Sequence, residues 1–326
     1  MRAVVIREPG GPEVLELKEV ADPVPSRGEV RIRVRATAVN RADILQRLGR
    51  YPAPPGVPPD IPGLEVAGEV DAVGDGVEDL VPGARVFGLV GGGAYAEYVV
   101  AHARTLAPIA EQVTFREAAA IPEAFITAWD AMIRQAGLTA GETVLVHAVT
   151  SGVGTAALQI ANAIGARPIG TTRTAKKLAL AGQLGLVDGI VVDRGNFAEA
   201  VLARTDGRGV DVVLDLVGGS YVAQDLACVA TKGRILSLST TAGMNAEIDL
   251  GLLMRKRAEL RGTTLRARPL EEKIVAAIDL KRHVTPLLAR GAVRAVIDRV
   301  LPLANVADAH RAVQSNATFG KVVLEV

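Results

Sequence analysis

TVLVHAVTSGVGTAALQIANAIGARPIGTT, residues 143–172, is the segment around which the rest of the chain can be interpreted. Residues 143–146 are apolar or β-branched, which is typical of a buried parallel strand. From Gly152 to Ile164 the apolar residues recur at helical spacing, and Gly165 follows where a C-terminal cap is expected. A second strand is predicted over residues 167–171. The segment therefore predicts a β-α-β unit.

The turn between this strand and this helix is a predicted phosphate site. Backbone N–H groups at a helix N-terminus point toward the space above the sheet, and a pyrophosphate suits that place. Aligned on the dinucleotide fingerprint G-x-G-x-x-G, residues 149–154 keep only the last glycine, Gly154, with Gly152 added beside it. The strand and helix around the turn, more than the glycines, indicate a bound dinucleotide.

The residues after the second strand bear on the choice of coenzyme. About 20 residues past the turn, an NAD site usually has an acidic residue for the ribose hydroxyls. This chain has Thr172 there, followed by Arg173, Thr174, Lys176 and Lys177. Cations and hydroxyls would hold a 2′-phosphate that a carboxylate would repel, so NADP(H) is favoured. For either lysine alone, a solvated helix face remains the alternative.

Composition excludes several classes of protein. The 326 residues are 49% hydrophobic and 3% aromatic, which is enough for two domains with aliphatic cores. The net charge of +1 gives no overall reason to expect nucleic acid, a membrane or a polyanionic partner. A single cysteine, Cys228, excludes an intrachain disulfide. With no signal-like segment and no apolar run of about 18 residues, we expect a soluble cytoplasmic protein.

Residues 1–121 are rich in predicted strands and turns. Residues 30–35, VRIRVR, alternate apolar and basic side chains, so one face is buried and the arginine face is solvated. Further strands are predicted over 65–73, 85–89 and 94–100, and a small closed or partly open barrel is the simplest architecture. Residues 51–63 contain six prolines and form a stiff flap. Its Tyr51 borders a cleft or lies at a structural edge.

From about residue 115 the pattern changes to helices and then to alternating strands and helices. Helices are predicted over 115–121 and 124–135, a further helix from Asn196, and an edge strand over 260–265. Six strands with crossover helices predict an α/β, doubly wound parallel sheet. The last residues return to the first domain. We therefore predict one domain of residues 1–124 and 267–326 and a dinucleotide-binding domain of residues 125–266.

Several stretches together resemble one known family. They are GGPEVLEL, VNRADILQRLGRYPAPPG, GLEVAGEV, FGLVGGGAYAEYVV, FITAW, TSGVGTAALQIA, LDLVGGSY and FGKVVLEV, and they cover the chain in order. With them the sequence resembles the zinc-independent quinone oxidoreductases of the medium-chain dehydrogenase/reductase superfamily, in particular the tumour-suppressor-inducible type. The resemblance implies a chaperonin-10-like (GroES-like) β-barrel domain, a Rossmann domain, and NADPH in the cleft between them.

The resemblance also implies roles for individual residues. Asn40 and Thr127 would meet the nicotinamide side, and Tyr51 would line the quinone pocket; these three are the candidate catalytic residues. The other candidates would bind the coenzyme: the pyrophosphate at Ser151, Gly152, Val153 and Gly154, the 2′-phosphate end at Thr172, Arg173 and Lys177, and the nicotinamide and its ribose at Val217, Leu265 and Arg266. One departure is Val192, which aligns where relatives often carry a tyrosine near the adenosine phosphate.

No metal site is expected. Metal-binding relatives use a Cys and a His-Glu pair, whereas here the first position falls near Asn40 and the pair reads Leu64-Glu65. Neither a catalytic nor a structural zinc can be built without such ligands. The four histidines are scattered, and we interpret His147 as a packed polar residue, with a proton donor as the alternative.

The predicted activity is NADPH-dependent reduction of ortho- and para-quinones. A quinone needs little acid–base assistance, because the aromatic oxyanion that forms is already stabilised and water can protonate it. One alternative is an enoyl-thioester or 2-alkenal reductase, for which the basic residues 255–257 could form an entrance. Another is a non-enzymatic protein that keeps the NADPH site and binds single-stranded RNA or acts structurally. An edge strand at 260–265 would leave unpaired backbone donors, so we expect a homodimer.

Overall fold

The computed structural model describes residues 1–192 and 195–326. Its strands, in chain order, are β1 (Arg2–Ile6), β2 (Leu15–Glu19), β3 (Glu29–Val39), β4 (Glu65–Val73), β5 (Arg85–Leu89), β6 (Tyr98–His102), β7 (Leu106–Pro108), β8 (Thr143–Val146), β9 (Arg167–Thr172), β10 (Asp188–Val191), β11 (Val210–Asp215), β12 (Val229–Ser237), β13 (Glu259–Gly262), β14 (Ile297–Pro302) and β15 (Lys321–Glu325).

The α-helices are α1 (Arg41–Arg47), α2 (Phe115–Ala119), α3 (Pro122–Trp129), α4 (Gly152–Ala163), α5 (Ala175–Gly182), α6 (Ala198–Ala203), α7 (Tyr221–Cys228), α8 (Leu250–Lys256), α9 (Leu270–Asp279), α10 (Thr285–Ala289) and α11 (Val306–Gln314). Wider π-type turns, Asp130–Gln135 and Leu280–Val284, continue α3 and α9. None of the helices described, in either range of the chain, is long and apolar enough to cross a membrane.

The backbone clusters into two units. Unit 1 contains residues 1–126, 265–289 and 295–326, and unit 2 contains residues 127–264 and 290–294. The domain limits given above, 1–124 with 267–326 and 125–266, stay a prediction. Residues 290–294 cluster with unit 2, where Arg294 N–H donates to Gln159 Oε1 of α4 at 2.9 Å.

Unit 2 contains a parallel sheet in the order β10-β9-β8-β11-β12-β13. This order reverses direction from β8, which is the arrangement of a doubly wound dinucleotide-binding sheet. Leu145, Ile169 and Val213 are fully buried, as strands covered by helices on both faces require. The predicted doubly wound sheet is confirmed.

Unit 1 contains a mixed sheet in the order β14-β15-β3-β4-β5-β7, and β6 also pairs with β3. Strand β3 has eleven residues, so it can pair with β15, β4 and β6 at different points along its length. The alternation of residues 30–35 places Val30, Ile32 and Val34 in the core. Among the strands described, the end strands β14 and β7 do not pair with each other, so the sheet corresponds to the partly open alternative of the predicted barrel.

The arginines on the other face of β3 are paired. Arg31 bonds to Asp71 at 2.6 Å, Arg33 approaches Asp71 at 3.5 Å, and Arg35 bonds to Glu69 at 2.6 Å. Both carboxylates lie on the neighbouring strand β4. The predicted solvated arginine face is therefore a set of cross-strand ion pairs.

Four element boundaries differ from the predictions. Strand β13 ends at Gly262, because its partner β12 ends at Ser237, opposite it. Strand β6 begins only at Tyr98, since residues 94–97 bond to other segments. Helix α6 begins at Ala198, where the side chain of Gln224 accepts the Ala198 N–H at 3.1 Å in place of a cap from Asn196. The predicted helix 124–135 instead starts at Pro122 and widens into a π-type turn after Trp129.

Candidate active site

The predicted phosphate turn lies in unit 2 between β8 and α4. Ser151 is the N-cap of α4, and its hydroxyl accepts the Gly154 N–H at 3.0 Å. Among the residues described, the N–H groups of Gly152 and Val153 have no acceptor, as expected for the first turn of a helix. These two amides are therefore available to an anion at the carboxyl end of β8.

Gly154 has a packing role in addition to its position in the fingerprint. A Cβ atom at this residue would lie 2.3 Å from the Ala148 carbonyl oxygen and 2.7 Å from Val149 Cα. Both distances are far below van der Waals contact, so any side chain at position 154 would push α4 away from the turn. The glycine that the fingerprint retains is thus the one that lets the helix pack on the preceding strand.

Cations lie beyond the carboxyl end of β9, the strand next to β8. Thr172 ends β9 and is buried, whereas Arg173 is exposed. Thr174 is the N-cap of α5 and accepts the Lys177 N–H at 3.4 Å, which places Lys177 in the first turn of that helix. The Arg173 guanidinium lowers the pKa of the Tyr221 hydroxyl, although burial dominates and raises that pKa. The positive charge of Arg173 therefore acts on Tyr221, the first residue of α7.

Two further candidates in unit 2, Val217 and Thr127, differ in their hydrogen bonding. Val217 follows β11, and its N–H and that of Gly218 both donate to Asp215 Oδ1 at 2.8 Å, so this turn is fixed by its own aspartate. Thr127 lies in α3, and its hydroxyl oxygen is buried with no hydrogen-bond partner among the residues described. A buried hydroxyl without a partner is costly unless a ligand supplies one.

His147 is a packed polar residue, as interpreted from the sequence. It is fully buried, and its Nδ1 and Nε2 lie 2.8 Å from Thr171 Oγ1 and 2.7 Å from Asp225 Oδ1. Its ring packs against Phe197 and Tyr221 at centroid distances of 4.6 and 4.9 Å. Val192, at the position of the tyrosine in relatives, belongs to the same apolar core and has no polar side chain to offer a phosphate.

Unit 1 contains a buried ionic cluster around Asn40. The Lys321 ammonium lies 2.7 Å from Glu65 Oε1, and both side chains are almost fully buried. The Asn40 amide donates to Glu65 Oε1 at 2.9 Å and accepts a hydrogen bond from Lys321. Glu65 Oε2 accepts the Glu123 N–H at 2.9 Å. Strands β3, β4 and β15 and helix α3 therefore meet at one carboxylate.

A second buried carboxylate, Asp43, is tied to the same cluster. Its oxygens accept the Asn40 N–H at 2.7 Å, the Gly63 N–H at 3.1 Å and the Tyr95 hydroxyl at 3.1 Å. Burial raises the pKa of Asp43 to about 6, against the effect of these hydrogen bonds. The Tyr95 hydroxyl also lies 3.3 Å from His310 Nε2, and burial lowers the pKa of His310 to about 3, so this imidazole is neutral.

Tyr51 and Arg266 are held against each other. The Arg266 guanidinium lies 5.3 Å from the centroid of the Tyr51 ring, a cation–π distance. It donates to Gly91 O at 2.8 Å, to Tyr51 O at 3.2 Å and to Gln46 Oε1 at 2.7 Å. Burial of the Tyr51 hydroxyl is the main cause that raises its pKa, and Glu123 raises it further. Arg266 therefore anchors the proline-rich flap.

A cavity of about 500 Å³ lies within unit 1 beside this flap. One wall is formed by the flap residues Val57, Pro58 and Ile61 and another by residues 91–93. Glu123, Leu265 and Arg266 also line it, whereas Asn40 and Tyr51 do not. Its volume is within the range of small-molecule sites.

The candidate residues are distributed over both units. Asn40, Tyr51, Leu265 and Arg266 belong to unit 1, and the remaining candidates belong to unit 2. The roles of Lys321, Glu123 and Asp43 in the site of unit 1 were not predicted from the sequence. A signal was present for Lys321, because it opens the apolar run VVL of the last strand, where a buried ammonium needs a partner.

Comparison with known proteins agrees with this geometry. Residues 26–111 match the model of the alcohol dehydrogenase GroES-like domain, and residues 152–281 match that of the zinc-binding dehydrogenase family. The chain is 33% identical to a human quinone oxidoreductase, over 99% of this chain and 97% of that one. It is 36% identical to a quinone oxidoreductase of Pseudomonas aeruginosa, over 97% and 96% of the two chains.

Solved structures of related proteins are similar to this chain over nearly their full length. A mycobacterial protein in complex with NADPH has a TM-score of 0.89 at 29% identity, with 100% of both chains covered. The CurK enoyl reductase has a TM-score of 0.86 at 28% identity, with 99% of this chain and 98% of that chain covered.

A GroES-like domain combined with a doubly wound sheet defines a medium-chain dehydrogenase/reductase, which confirms the predicted fold class. Such enzymes are oxidoreductases that use a pyridine nucleotide and a small-molecule substrate. Within this superfamily the chain belongs to the quinone oxidoreductases.

Replacing Lys321 should destabilise the protein strongly. Lys321→Met leaves the Glu65 carboxylate buried without its cation, and we expect a loss of about 3–5 kcal/mol in the free energy of unfolding. Chemical denaturation followed by circular dichroism measures it. Arg104→Met is the control, because it removes one partner of the exposed pair Arg104–Glu271. Equal losses in the two variants would contradict the prediction.

Proposed function

We propose that the protein is an NADPH-dependent quinone reductase that acts without a metal. The observation that carries the proposal is the cavity of about 500 Å³ in unit 1, in a chain that belongs to the quinone oxidoreductases. Its walls include the apolar side chains of Val57, Pro58 and Ile61. Such a space suits a planar apolar ring with a few polar atoms at its edge.

Metal independence is supported by the chemistry of the cluster around Asn40. At the positions where metal-binding relatives carry ligands, this chain has an amide, Asn40, and the pair Leu64-Glu65. The carboxylate of Glu65 is bonded to the Lys321 ammonium, which would repel a divalent cation. Among the residues described, no group of three His, Cys, Asp or Glu side chains has metal-binding geometry.

The residues in unit 2 fit a reduced nicotinamide dinucleotide, which supplies a hydride when it is bound. The free amides of Gly152 and Val153, with Ser151 and Gly154 around them, suit the pyrophosphate. The unpartnered hydroxyl of Thr127 suits a polar group of the nicotinamide side. For the nicotinamide and its ribose we also propose Val217, which belongs to unit 2, and Leu265 and Arg266, which belong to unit 1.

Preference for NADPH is supported by the positive charge after β9. Arg173 and Lys177 follow Thr172 at the carboxyl end of the strand, and no acidic side chain stands among residues 172–177. A 2′-phosphate would gain charge-assisted hydrogen bonds from these cations. Val192 contributes none, so we assign the preference to Arg173 and Lys177. The related mycobacterial protein was solved with NADPH.

In this proposal catalysis depends mainly on positioning. The amide of Asn40 is bonded to Glu65 and Lys321, so Asn40 would contact the nicotinamide through its surface more than through a donated hydrogen bond. Tyr51 does not line the cavity itself, but it is held against Arg266, which does, and we propose that it borders the quinone ring from there. Holding two reactants in a dry site can contribute roughly 7–11 kcal/mol when the geometry is good.

Reduction of an enoyl thioester is the second candidate, since the CurK enoyl reductase is similar over its whole length. For this activity, residues 255–257 were considered as a basic entrance. Lys256 is not available for that role, because its ammonium donates to the carbonyl oxygens of Leu226, Ala227 and Val229 at 2.6–2.9 Å. The RNA-binding alternative has less support, since the arginines of β3 are paired with Asp71 and Glu69.

Coenzyme kinetics test the NADPH proposal. The wild-type protein should show a lower KM for NADPH than for NADH. Arg173→Ala combined with Lys177→Ala should raise the KM for NADPH about tenfold, the equivalent of roughly 1.4 kcal/mol, and leave that for NADH unchanged. Lys232→Asn, which removes an exposed cation of β12 where φ is +63°, is the control. A wild-type KM for NADH at or below that for NADPH would exclude the preference.

A substrate panel tests the activity. NADPH oxidation should be faster with ortho- or para-quinones than with enoyl thioesters, and a salt-dependent RNA titration should show no specific binding. Tyr51→Ala should lower kcat/KM for quinones about tenfold, whereas Tyr51→Phe, which keeps the ring beside Arg266, should stay within about twofold. Unchanged quinone kinetics in Tyr51→Ala would remove Tyr51 from the site.

We propose a homodimer through β13, now bounded at Glu259–Gly262. Among the strands described, only β12 pairs with β13, and this leaves the other edge of β13 without a partner. The exposed side chains nearby include Leu250, Met254 and Leu260, which are 62%, 71% and 41% exposed. Apolar side chains beside an uncovered strand edge favour pairing with a second copy.

Sedimentation at micromolar concentration should give twice the monomer mass of 34.0 kDa. Met254→Glu combined with Leu260→Glu should shift the protein to monomers, because both charges would be buried on pairing. Val187→Glu is the control, since Val187 is 91% exposed but lies away from β13 in the sequence. A wild-type monomer would exclude the dimer.

A further inference from the structure

Glu123 is the acidic side chain of unit 1 that both lines the cavity and adjoins the buried ionic cluster. It is the second residue of α3, and its N–H donates to Glu65 Oε2 at 2.9 Å, which fixes the start of the helix. Its side chain is half-buried and lines the cavity together with Leu265 and Arg266. Glu123 therefore borders the space in which we place the substrate.

Three charged groups near Glu123 have partners within unit 1, whereas Lys273 of α9, which also lines the cavity, has an ammonium whose pKa is lowered by burial and by Arg266. Lys321 on β15 is bonded to Glu65 of β4, and Asp43 of α1 accepts three hydrogen bonds. The guanidinium of Arg266 donates to Gly91, Gln46 and Tyr51. Among the residues described, no group donates a hydrogen bond to the Glu123 carboxyl, so its own contacts must come from the cavity.

We propose that Glu123 is a catalytic residue of the quinone reduction proposed above, and that its carboxyl group donates the proton taken up by the quinone oxygen. This inference rests on the proposed function and changes one expectation from the sequence. Water is not the required proton donor when an acid lines the substrate cavity.

The electrostatics keep this carboxyl protonated. Burial is the main cause that raises the pKa of Glu123 to about 8; Glu65 and Asp43 raise it further, while Lys321 and Arg266 lower it. At pH 7 the protonated form therefore exceeds the ionised form by roughly ten to one. An acid with a pKa near the working pH is well matched to proton transfer.

The step balances in atoms and electrons. A quinone that accepts a hydride gains two electrons and one proton, and it becomes a hydroquinone on gaining one further proton. The hydride comes from the reduced dinucleotide, which is thereby oxidised. The second proton leaves the O–H bond of Glu123 and forms an O–H bond at the substrate oxygen. The Glu123 carboxylate then regains a proton from water.

Other acids of the cluster are less suitable. Asp43 is fully buried and both of its oxygens are occupied by hydrogen bonds from Asn40, Gly63 and Tyr95. Tyr51 carries a hydroxyl whose pKa is raised above its usual value, which makes it a weaker acid than Glu123, and it does not line the cavity. Geometry and acidity therefore agree on Glu123.

The pH profile of Glu123→Gln tests the inference. The wild-type kcat/KM for quinones should be constant below pH 8 and fall above it, as the acid ionises. Glu123→Gln keeps the size of the side chain but has no transferable proton. We expect its kcat/KM to be about 10²-fold lower and free of the decline above pH 8. Glu78→Gln, at an exposed loop residue, should keep the wild-type rate and profile.

A direct titration separates this inference from the proposed function. Difference infrared spectra of wild type and Glu123→Gln should show a protonated carboxyl band at pH 6–7 that disappears near pH 8. Quinone reduction by wild type with an unaltered rate or profile in Glu123→Gln, or a carboxylate band at pH 7, overturns the inference alone. A wild-type protein that reduces no quinone removes the proposed function, and the inference with it.

Discussion

The buried ion pair between Lys321 and Glu65 is the constraint on which unit 1 depends. An ammonium and a carboxylate removed from water are stable only if each is fully compensated, and here Asn40 bonds to both while Glu65 Oε2 accepts the Glu123 N–H. Because Lys321 opens the last strand and Glu65 opens β4, this compensation requires β15 to lie in the same sheet as β4, with β3 between them. Glu65 of this pair also accepts the Glu123 N–H at the start of α3. The ion pair therefore helps to position α3, and with it Glu123, which lines the cavity.

Unit 2 is governed by a different constraint, the close approach of a helix to a strand. Gly154 leaves no room for a Cβ beside the Ala148 carbonyl, and Ser151 uses its hydroxyl to cap the Gly154 amide. The cap occupies one N–H, and within residues 1–192 and 195–326 no acceptor meets those of Gly152 and Val153. The turn at residues 149–154 has fewer glycines than the dinucleotide fingerprint. It still presents amides at the positive end of a helix, which is the feature that binds an anion.

Local patterns in the sequence predicted most strands and helices, because the spacing of apolar residues differs between the two kinds of element. The alternation at residues 30–35 and the apolar run at 143–146 correspond to β3 and β8, and the doubly wound order follows from alternating units. Interactions between distant residues could not be predicted in the same way. Gln224 moves the start of α6 to Ala198, and the end of β12 at Ser237 shortens β13. The cluster of Lys321, Glu65 and Glu123 is hidden for the same reason, since its members come from three segments with no common spacing.

The cluster also has a consequence for the choice of chemistry. A divalent metal ion polarises a substrate oxygen and stabilises the charge that develops on it. The Lys321 ammonium cannot act in that way, because Glu65, Asn40 and the Val39 carbonyl already surround it. In the proposed site, the charge that develops on a substrate would then be neutralised by proton transfer or be tolerated by the substrate itself. A quinone, the substrate we propose, tolerates it through aromatic stabilisation, and burial, assisted by the negative charge of Glu65, raises the pKa of Glu123 and favours its protonated form. The carboxylate that compensates the buried lysine therefore adds to the effect of burial on its neighbour Glu123, so that the metal independence and the acid that we propose would both depend on one electrostatic arrangement.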